Sequence, residues 1–504
     1  MRIPPHMRQL YTLLRQKEVL MRKSRIKLLM WGGLLLGVAA ASGICLSATP
    51  EITFTIDPGR FGATVPERFL GLSFEPIDVI RDPDIRLNRP EVFGIGNCLH
   101  NYMSLLQPGH IRIGGLLGDS PRNASAKDPT HIGPLLEFAR DIDWIVDWTL
   151  RFVPYEPEAA VPIVDYLLEH GADLLRYVGI GTEPENYVGQ LRRPEGWGMT
   201  EHCEEFGGYV EVLRRAFPDL AIYGPNMVGD SANMCSADGW IRTFARSHAS
   251  QLDALAVHLY PLSWHDLPTG DLKSSLRDLL SIETRTDTLR VIHDAVDLGR
   301  TLRLPVYVSE TNAGPDAAQG TPSFGYFNKA GSALNMLDNL FLMAESGVQG
   351  AAIHVGGRTW WHMAPVQMGD WGQGRYPCVI RPLAYALLLF SVSDPQHFVH
   401  CHSDQTRANV HCHAFLNRDG QLNVLLINKD VDHGFNVAVD LGVAFSSAVT
   451  LTLGGTWWDA EATLGGSQIK STGKWEPTWG VLEPAGGKLS LTVDAATAVL
   501  IVIE

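Results

Sequence analysis

The chain has 504 residues, 45% of them hydrophobic, and a formal net charge of -14. That length suffices for a large core and points to two domains. The acidic balance argues against a nucleic-acid partner, whose binding needs clustered Lys and Arg, and its plain value is solubility.

Residues 1–50 read as a targeting segment. Arg22, Lys23, Arg25 and Lys27 precede an uncharged run from Leu28 to Pro50 that ends in small residues such as Ala39-Ala40-Ala41-Ser42. A basic flank, an apolar stretch and small residues describe a signal peptide. Left uncleaved, the same run is long enough for a membrane anchor. The expected destination is periplasmic or extracellular, with the membrane touched only through that segment. The seven cysteines are too few for a disulfide-dense scaffold, although export permits some pairing.

Next comes a strand, Glu51 to Ile56, that alternates and ends at the turn signal Asp57-Pro58-Gly59. Residues 51–65 are expected to join a later all-β domain. Strand-like segments then recur at Phe69–Phe74, His110–Ile113, Thr149–Val153 and Leu175–Ile180. They continue at Ala221–Tyr223, Ala254–His258, Val306–Val308 and Ala351–His354. Helix-length stretches separate most of them, which predicts an α/β fold, a (β/α)8 TIM barrel over 66–395. Ala330, Leu334, Leu337, Phe341 and Ala344 recur at helical spacing, with Gly347 placed to stop the helix, and that face is expected on the barrel. From 396 to 504 short alternating strands and Gly-rich turns predict a C-terminal β-sandwich.

Two segments carry the chemistry. Gly181-Thr182-Glu183-Pro184-Glu185-Asn186 follows the strand ending at Ile180, and Ser309-Glu310-Thr311-Asn312 follows Val306-Tyr307-Val308. Each sets a glutamate where a barrel strand ends, the face on which such barrels keep their active sites. A pair of carboxyl groups there is the equipment for cleaving a glycosidic bond, one protonating the leaving oxygen and the other working at the anomeric carbon. No cofactor and no metal is called for, and the expected partner is a carbohydrate.

Phe69-Leu70-Gly71-Leu72-Ser73-Phe74-Glu75, Arg112-Ile113-Gly114-Gly115, Glu183-Pro184, His258-Leu259-Tyr260-Pro261 and Ser309-Glu310-Thr311-Asn312 occur in that order. Together with Ala344 to Val348 and Val424 to Lys429, they resemble glycoside hydrolase family 79, the β-glucuronidases and heparanase-like enzymes. The resemblance spans about residues 51–504. It implies a retaining mechanism with Glu183 as acid/base and Glu310 as nucleophile, and Tyr260 as a tyrosine that hydrogen-bonds the nucleophile. In that division Glu183 needs a raised pKa to hold its proton while Glu310 stays ionised. Glu185 is the nearest rival to Glu183 and lacks the following proline.

Two positions depart from the family pattern. Thr182 stands where the family carries an asparagine that donates to the sugar 2-hydroxyl. The stretches Thr311–Gly325 and Arg358–His362 lack the tyrosines that hold a uronate carboxylate. Arg358 is the candidate for that carboxylate, Trp360 and Trp361 for a stacking platform, and Thr182 and Asn312 for further substrate contacts. The expectation is therefore a retaining β-glucuronidase. The alternatives are a glycosidase for a 4-O-methylglucuronide or a neutral hexoside, and a carbohydrate-binding homologue without activity.

His400-Cys401-His402 and His411-Cys412-His413 mirror each other about a loop. A symmetric hairpin pairs 401 with 412 and sets the four histidines on one face. Such a set offers a divalent-metal site or a cross-strand disulfide, against a chance set of hairpin pairs. The sequon Asn123-Ala124-Ser125 matters only in a eukaryotic secretory host.

Overall fold

The computed structural model describes residues 52–79 (the side chain of Ile77 apart), 92–119, 128–190, 192–261, 271–314, 325–355, 363–368, 378–405, 407–442, 445–483 and 488–503. The targeting segment and the sequon at Asn123 lie outside them. Among the described residues no helix is long and apolar enough to cross a membrane.

After β1 (Ile52–Thr64), eight parallel strands close a barrel: β2 (Leu70–Phe74), β3 (His110–Ile113), β4 (Ile145–Leu150), β5 (Leu175–Ile180), β6 (Ile222–Val228), β7 (Ala254–Leu259), β8 (Val306–Thr311) and β9 (Ala351–His354). Pairing of β2 with β9 completes the ring. The fold is thus a TIM barrel with a β-sheet domain, in line with the sequence. The third barrel strand lies earlier than its predicted span of Thr149–Val153. Asp147 interrupts its apolar pattern, yet it is buried, with Arg176 Nε donating to its carboxylate at 2.9 Å. Under this ion pair, Tyr177, Tyr223 and Tyr307 pack at the start of their strands, and Arg176 lies 4.6 Å from the Tyr307 ring centre. The floor of the barrel is therefore sealed, and chemistry is left to the other end.

Past the last barrel strand, a small hairpin of β10 (Val366–Met368) and β11 (Cys378–Ile380) precedes the helix Pro382–Ser393. A disulfide joins Cys378 to Cys98. The remaining strands are β12 (Pro395–Ser403), β13 (Val410–Asn417), β14 (Leu422–Asn428), β15 (Phe435–Asp440), β16 (Ala448–Gly454), β17 (Thr463–Leu464), β18 (Gly480–Leu482), β19 (Lys488–Val493) and β20 (Thr497–Ile503). They form, with β1, one ten-stranded sheet in the order β17-β16-β20-β14-β13-β12-β1-β15-β19, with β18 on β16. One face of this sheet folds over a core of Ile52, Phe54, Val399, Val424, Val437, Leu489 and Ile501. β1 lies inside it, antiparallel to β12 and parallel to β15, and runs through a register shift beyond the predicted stop at Asp57. Between β19 and β20 the chain turns at Ala496, with φ 52°.

The other face of the sheet meets the barrel. Phe398, Phe415, Leu425 and Ile427 share the barrel's core cluster. This explains the unbroken run Val424-Leu425-Leu426-Ile427, all buried: the strand is covered on both faces and has no polar side. The helix Ala330–Ser346 lies in this junction and is buried from Gly331 to Ala344. Its Phe341 packs on Phe390, Phe398 and Phe415, so this residue of the predicted barrel face reaches the sheet. Gly347 caps the helix with φ 93°.

The mirrored His-Cys-His motifs lie side by side: β12 pairs with β13 as far as Val399 opposite Ala414, and beyond it the Cys401 and Cys412 thiols meet. Both thiols are free. The four histidines do not converge on one point. His413 is buried against Asp338 and Glu345, and His411 turns to Asn409, whereas His400 and His402 are exposed.

Candidate active site

β5 and β8, the fourth and seventh strands of the barrel, deliver the two glutamates. Glu310 is part of β8 and 5% exposed. Glu183 stands three residues beyond β5, in the left-handed region at φ 50°, ψ 55°. A non-glycine residue there is strained and held by its surroundings. Glu183 N–H donates to Asn226 O at 2.8 Å, and Tyr187 Oη accepts from Thr182 N–H while donating to Asp119. Asp119 in turn accepts from the backbone N–H of Phe152 and Val153. The turn carrying Glu183 is thus tied to three neighbouring strand ends.

Around Glu310 the charges are arranged to keep it ionised. Arg112 Nη1 donates to its Oε2 at 2.7 Å, and Tyr260 Oη donates to its Oε1 at 2.6 Å. His354 Nδ1 lies 3.6 Å from Oε2. Burial alone would raise its pKa, but His354, Arg112 and the Tyr260 hydrogen bond outweigh it and hold the carboxyl well below the usual range. Because burial lowers the pKa of His354 itself, Arg112 is the permanent cation of the group. Tyr260 keeps its proton, pushed up by burial and by the charge of Glu310.

Glu183 accepts from His258 Nδ1 at 2.9 Å and from Asn186 Nδ2 at 3.1 Å. One ligand atom each from Glu183, His258 and Glu310 lie within 4.8 Å of one another, so carboxylate oxygens of the two glutamates come that close. By residue type the trio also suits a divalent ion. The tautomer argues against that. His258 Nε2 faces Arg112 Nη2 at 3.5 Å. A guanidinium only donates, so Nε2 accepts and the proton sits on Nδ1, where a metal would need a bare nitrogen.

Thr182 and Tyr260 sit in this cluster. Thr182 Oγ1 accepts from Arg112 Nη2 and from Gly115 N–H, both at 3.3 Å. Asn312 serves the scaffold: its Nδ2 donates to His354 O and Met363 O, and its Oδ1 accepts from Ala313 N–H. It pins the chain after β9. Arg358 and Trp360 lie outside the described residues. Glu185 accepts from Val228 N–H at 2.7 Å, and burial, then the charge of Glu183, raises its pKa well above the usual value.

Sequence reasoning gave no role to Arg112, His258, His354 or Glu75. A usable signal existed for Arg112, a cation in the middle of an apolar barrel strand, which must have a buried partner. The glycines after it make the site possible. A Cβ on Gly114 would fall 2.5 Å from the Arg112 guanidinium carbon, and one on Gly115 would fall 2.3 Å from the Glu75 carboxyl carbon. Glu75 accepts from Leu117 N–H at 3.0 Å. Burial, then the charge of Glu310, raises its pKa well above the usual value.

No family model and no curated protein matches the chain. Solved structures do. A 4-O-α-L-rhamnosyl-β-D-glucuronidase from Fusarium oxysporum 12S superposes with a TM-score of 0.67 at 17% identity, over 89% of this chain and 100% of the other. A family 51 arabinofuranosidase from Xanthomonas axonopodis pv. citri gives 0.63 at 14%, over 90% and 100%. A family 44 xyloglucanase from Paenibacillus polymyxa gives 0.61 at 12%, over 90% and 99%. At such identities the likeness establishes the shared fold.

Proposed function

We propose that the chain is a glycoside hydrolase, a retaining β-glycosidase of the family 79 type acting on β-glucuronides. The observation that carries this reading is the approach of Glu183 and Glu310 within 4.8 Å beside a cation that keeps Glu310 charged. Retaining pairs sit about 5–5.5 Å apart and inverting pairs about 6.5–9.5 Å. Glu310 attacks the anomeric carbon as Glu183 gives its proton to the leaving oxygen, forming a glycosyl ester on Glu310. Glu183 then takes a proton from water, which releases the sugar with its configuration kept. Arg112 and Tyr260 orient the attacking carboxylate. The named glycosidases that share this fold support the reaction class, and the glucuronidase among them supports the sugar.

Thr182 supports a second reading, a different sugar. Its hydroxyl is engaged with Arg112 and Gly115 and is shorter than the family's asparagine. Hydrolysis of p-nitrophenyl β-D-glucuronide beside the glucoside, galactoside and xyloside decides between them. We expect release from the glucuronide, a loss of at least about 10³-fold in Glu310→Gln, and an unchanged fold by circular dichroism. Turnover near wild type in Glu310→Gln would sink the mechanism, and preference for a neutral sugar would sink the uronate. Export to an oxidising compartment belongs to the same proposal and is supported by the Cys98–Cys378 disulfide.

A further inference from the structure

Three arginine and lysine side chains are buried among the described residues, Arg112, Lys429 and Arg381. Arg112 faces Glu310 and Lys429 faces Asp338, at 2.7 and 3.1 Å. Arg381 faces no carboxylate among the described residues. It is 6% exposed. Its Nη2 donates to Gln367 Oε1, while Nε and Nη1 have no hydrogen-bond partner. Burial alone brings its pKa down to about 10, which leaves it a cation at neutral pH. A buried charge without a counter-charge is among the costliest arrangements in a protein, and a group held at that cost is a candidate for a functional role.

Its place in the fold indicates which ligand. Asn312, two residues past Glu310, donates to both His354 O and Met363 O. Arg381 N–H donates to Pro365 O at 2.9 Å, two residues past Met363. Asn312 and the backbone of Arg381 thus hold carbonyls two residues apart on one short segment, 363–365, which follows β9 at the catalytic end of the barrel. A neutral sugar would leave the guanidinium unpaired, whereas a sugar acid brings one negative charge in a planar group that a guanidinium matches.

We propose that Arg381 is a specificity-determining anion site that takes the carboxylate of a uronic acid. The proposal rests on the glycosidase reading above, and its first test is independent of turnover. Thermal unfolding of the full chain is followed with D-glucuronate, with D-glucose and with inorganic sulfate, each against sodium chloride of equal ionic strength. The expected result is a rise in Tm with D-glucuronate and none with D-glucose. In Arg381→Met the rise is absent, and in Arg381→Lys, which keeps the charge without the planar fork, it is reduced. Arg381→Met should unfold no lower than wild type in anion-free buffer, because it removes an unpaired buried charge. A response to sulfate alone would overturn the uronate assignment, as would an equal response in Arg381→Met or none in wild type.

The second test is kinetic. On p-nitrophenyl β-D-glucuronide, Arg381→Met is expected to raise KM at least tenfold with kcat less affected, and to leave any hydrolysis of the β-glucoside unchanged. An equal loss on both sugars would mark a structural role and overturn the proposal. If wild type cleaves no glucuronide, the reading as a glucuronidase fails while the thermal test still decides Arg381.

Discussion

Arg112 concentrates the site's electrostatics in one side chain. Its guanidinium touches Ser73, Glu310, Thr182 and His258 and is fully buried. Arg112→Met should cut kcat/KM by about 10²–10³, the scale for removing one preorganised charge contact. It should also move the acid limb of the pH profile upward. In wild type Glu310 stays ionised to well below the ordinary carboxylate range. Without the cation, burial is less opposed and the nucleophile protonates at higher pH. A pH–rate profile with an unmoved acid limb would contradict this. Gly115→Ala tests the packing beside it: the added Cβ meets Glu75 at a backbone φ of 139°. We expect a loss of about 2–4 kcal/mol in stability. Gly347→Ala at φ 93° in open space should cost only the backbone share, about 1–2 kcal/mol, in the same denaturant titration. At this scale the glutamates were legible because strand ends are, whereas the hold of Asn312 on the chain after β9 was not, because His354 and Met363 are remote from it in sequence. His354 was invisible because its partners, Ser73 and Glu310, come from strands remote in sequence.

Strands and helices were legible where one face is polar, and blurred where both faces are buried or a charge is. The Asp147–Arg176 pair hid the true span of β4, and the double burial of the helix Ala330–Ser346 concealed that Phe341 turns to the sheet. That helix also carries the ion network of the junction. Asp338 accepts from Arg285, Lys429 and His413, and Glu345 pairs with the other ring nitrogen of His413. Burial would lower the pKa of His413, but its bonds to Asp338 and Glu345 raise it to about 8. A folded-state pKa above the unfolded value, about 6.5, adds stability that is complete below pH 6.5 and is lost as pH rises through 8. The difference amounts to about 2 kcal/mol. The stability gap between wild type and His413→Gln should therefore narrow from pH 6 to pH 9 in urea titrations. A gap independent of pH would mean that His413 stays neutral.

Over the whole molecule, the fold class was legible from the recurrence of strands, and the covalent tie was not. Cysteine count permitted pairing, yet Cys98 and Cys378 are 280 residues apart, and only the return of the hairpin β10–β11 to the first barrel helices brings them together. Cys98→Ser with Cys378→Ser should lower stability by about 2–4 kcal/mol. The same double variant should abolish the effect of dithiothreitol on Tm, and a wild type indifferent to reductant would argue that the bond does not form. The position of β1 has a further consequence, which concerns time. It is synthesised before every other described strand, but its two neighbours, β12 and β15, begin at residues 395 and 435. A strand made first must wait, unpaired, while the barrel is built behind it. A nascent chain halted after the barrel would hold a stretch of Ile, Phe and Thr with no place to dock. The emergence of β12 and β15, from residue 395 to residue 440, is therefore the event that lets this strand join its sheet.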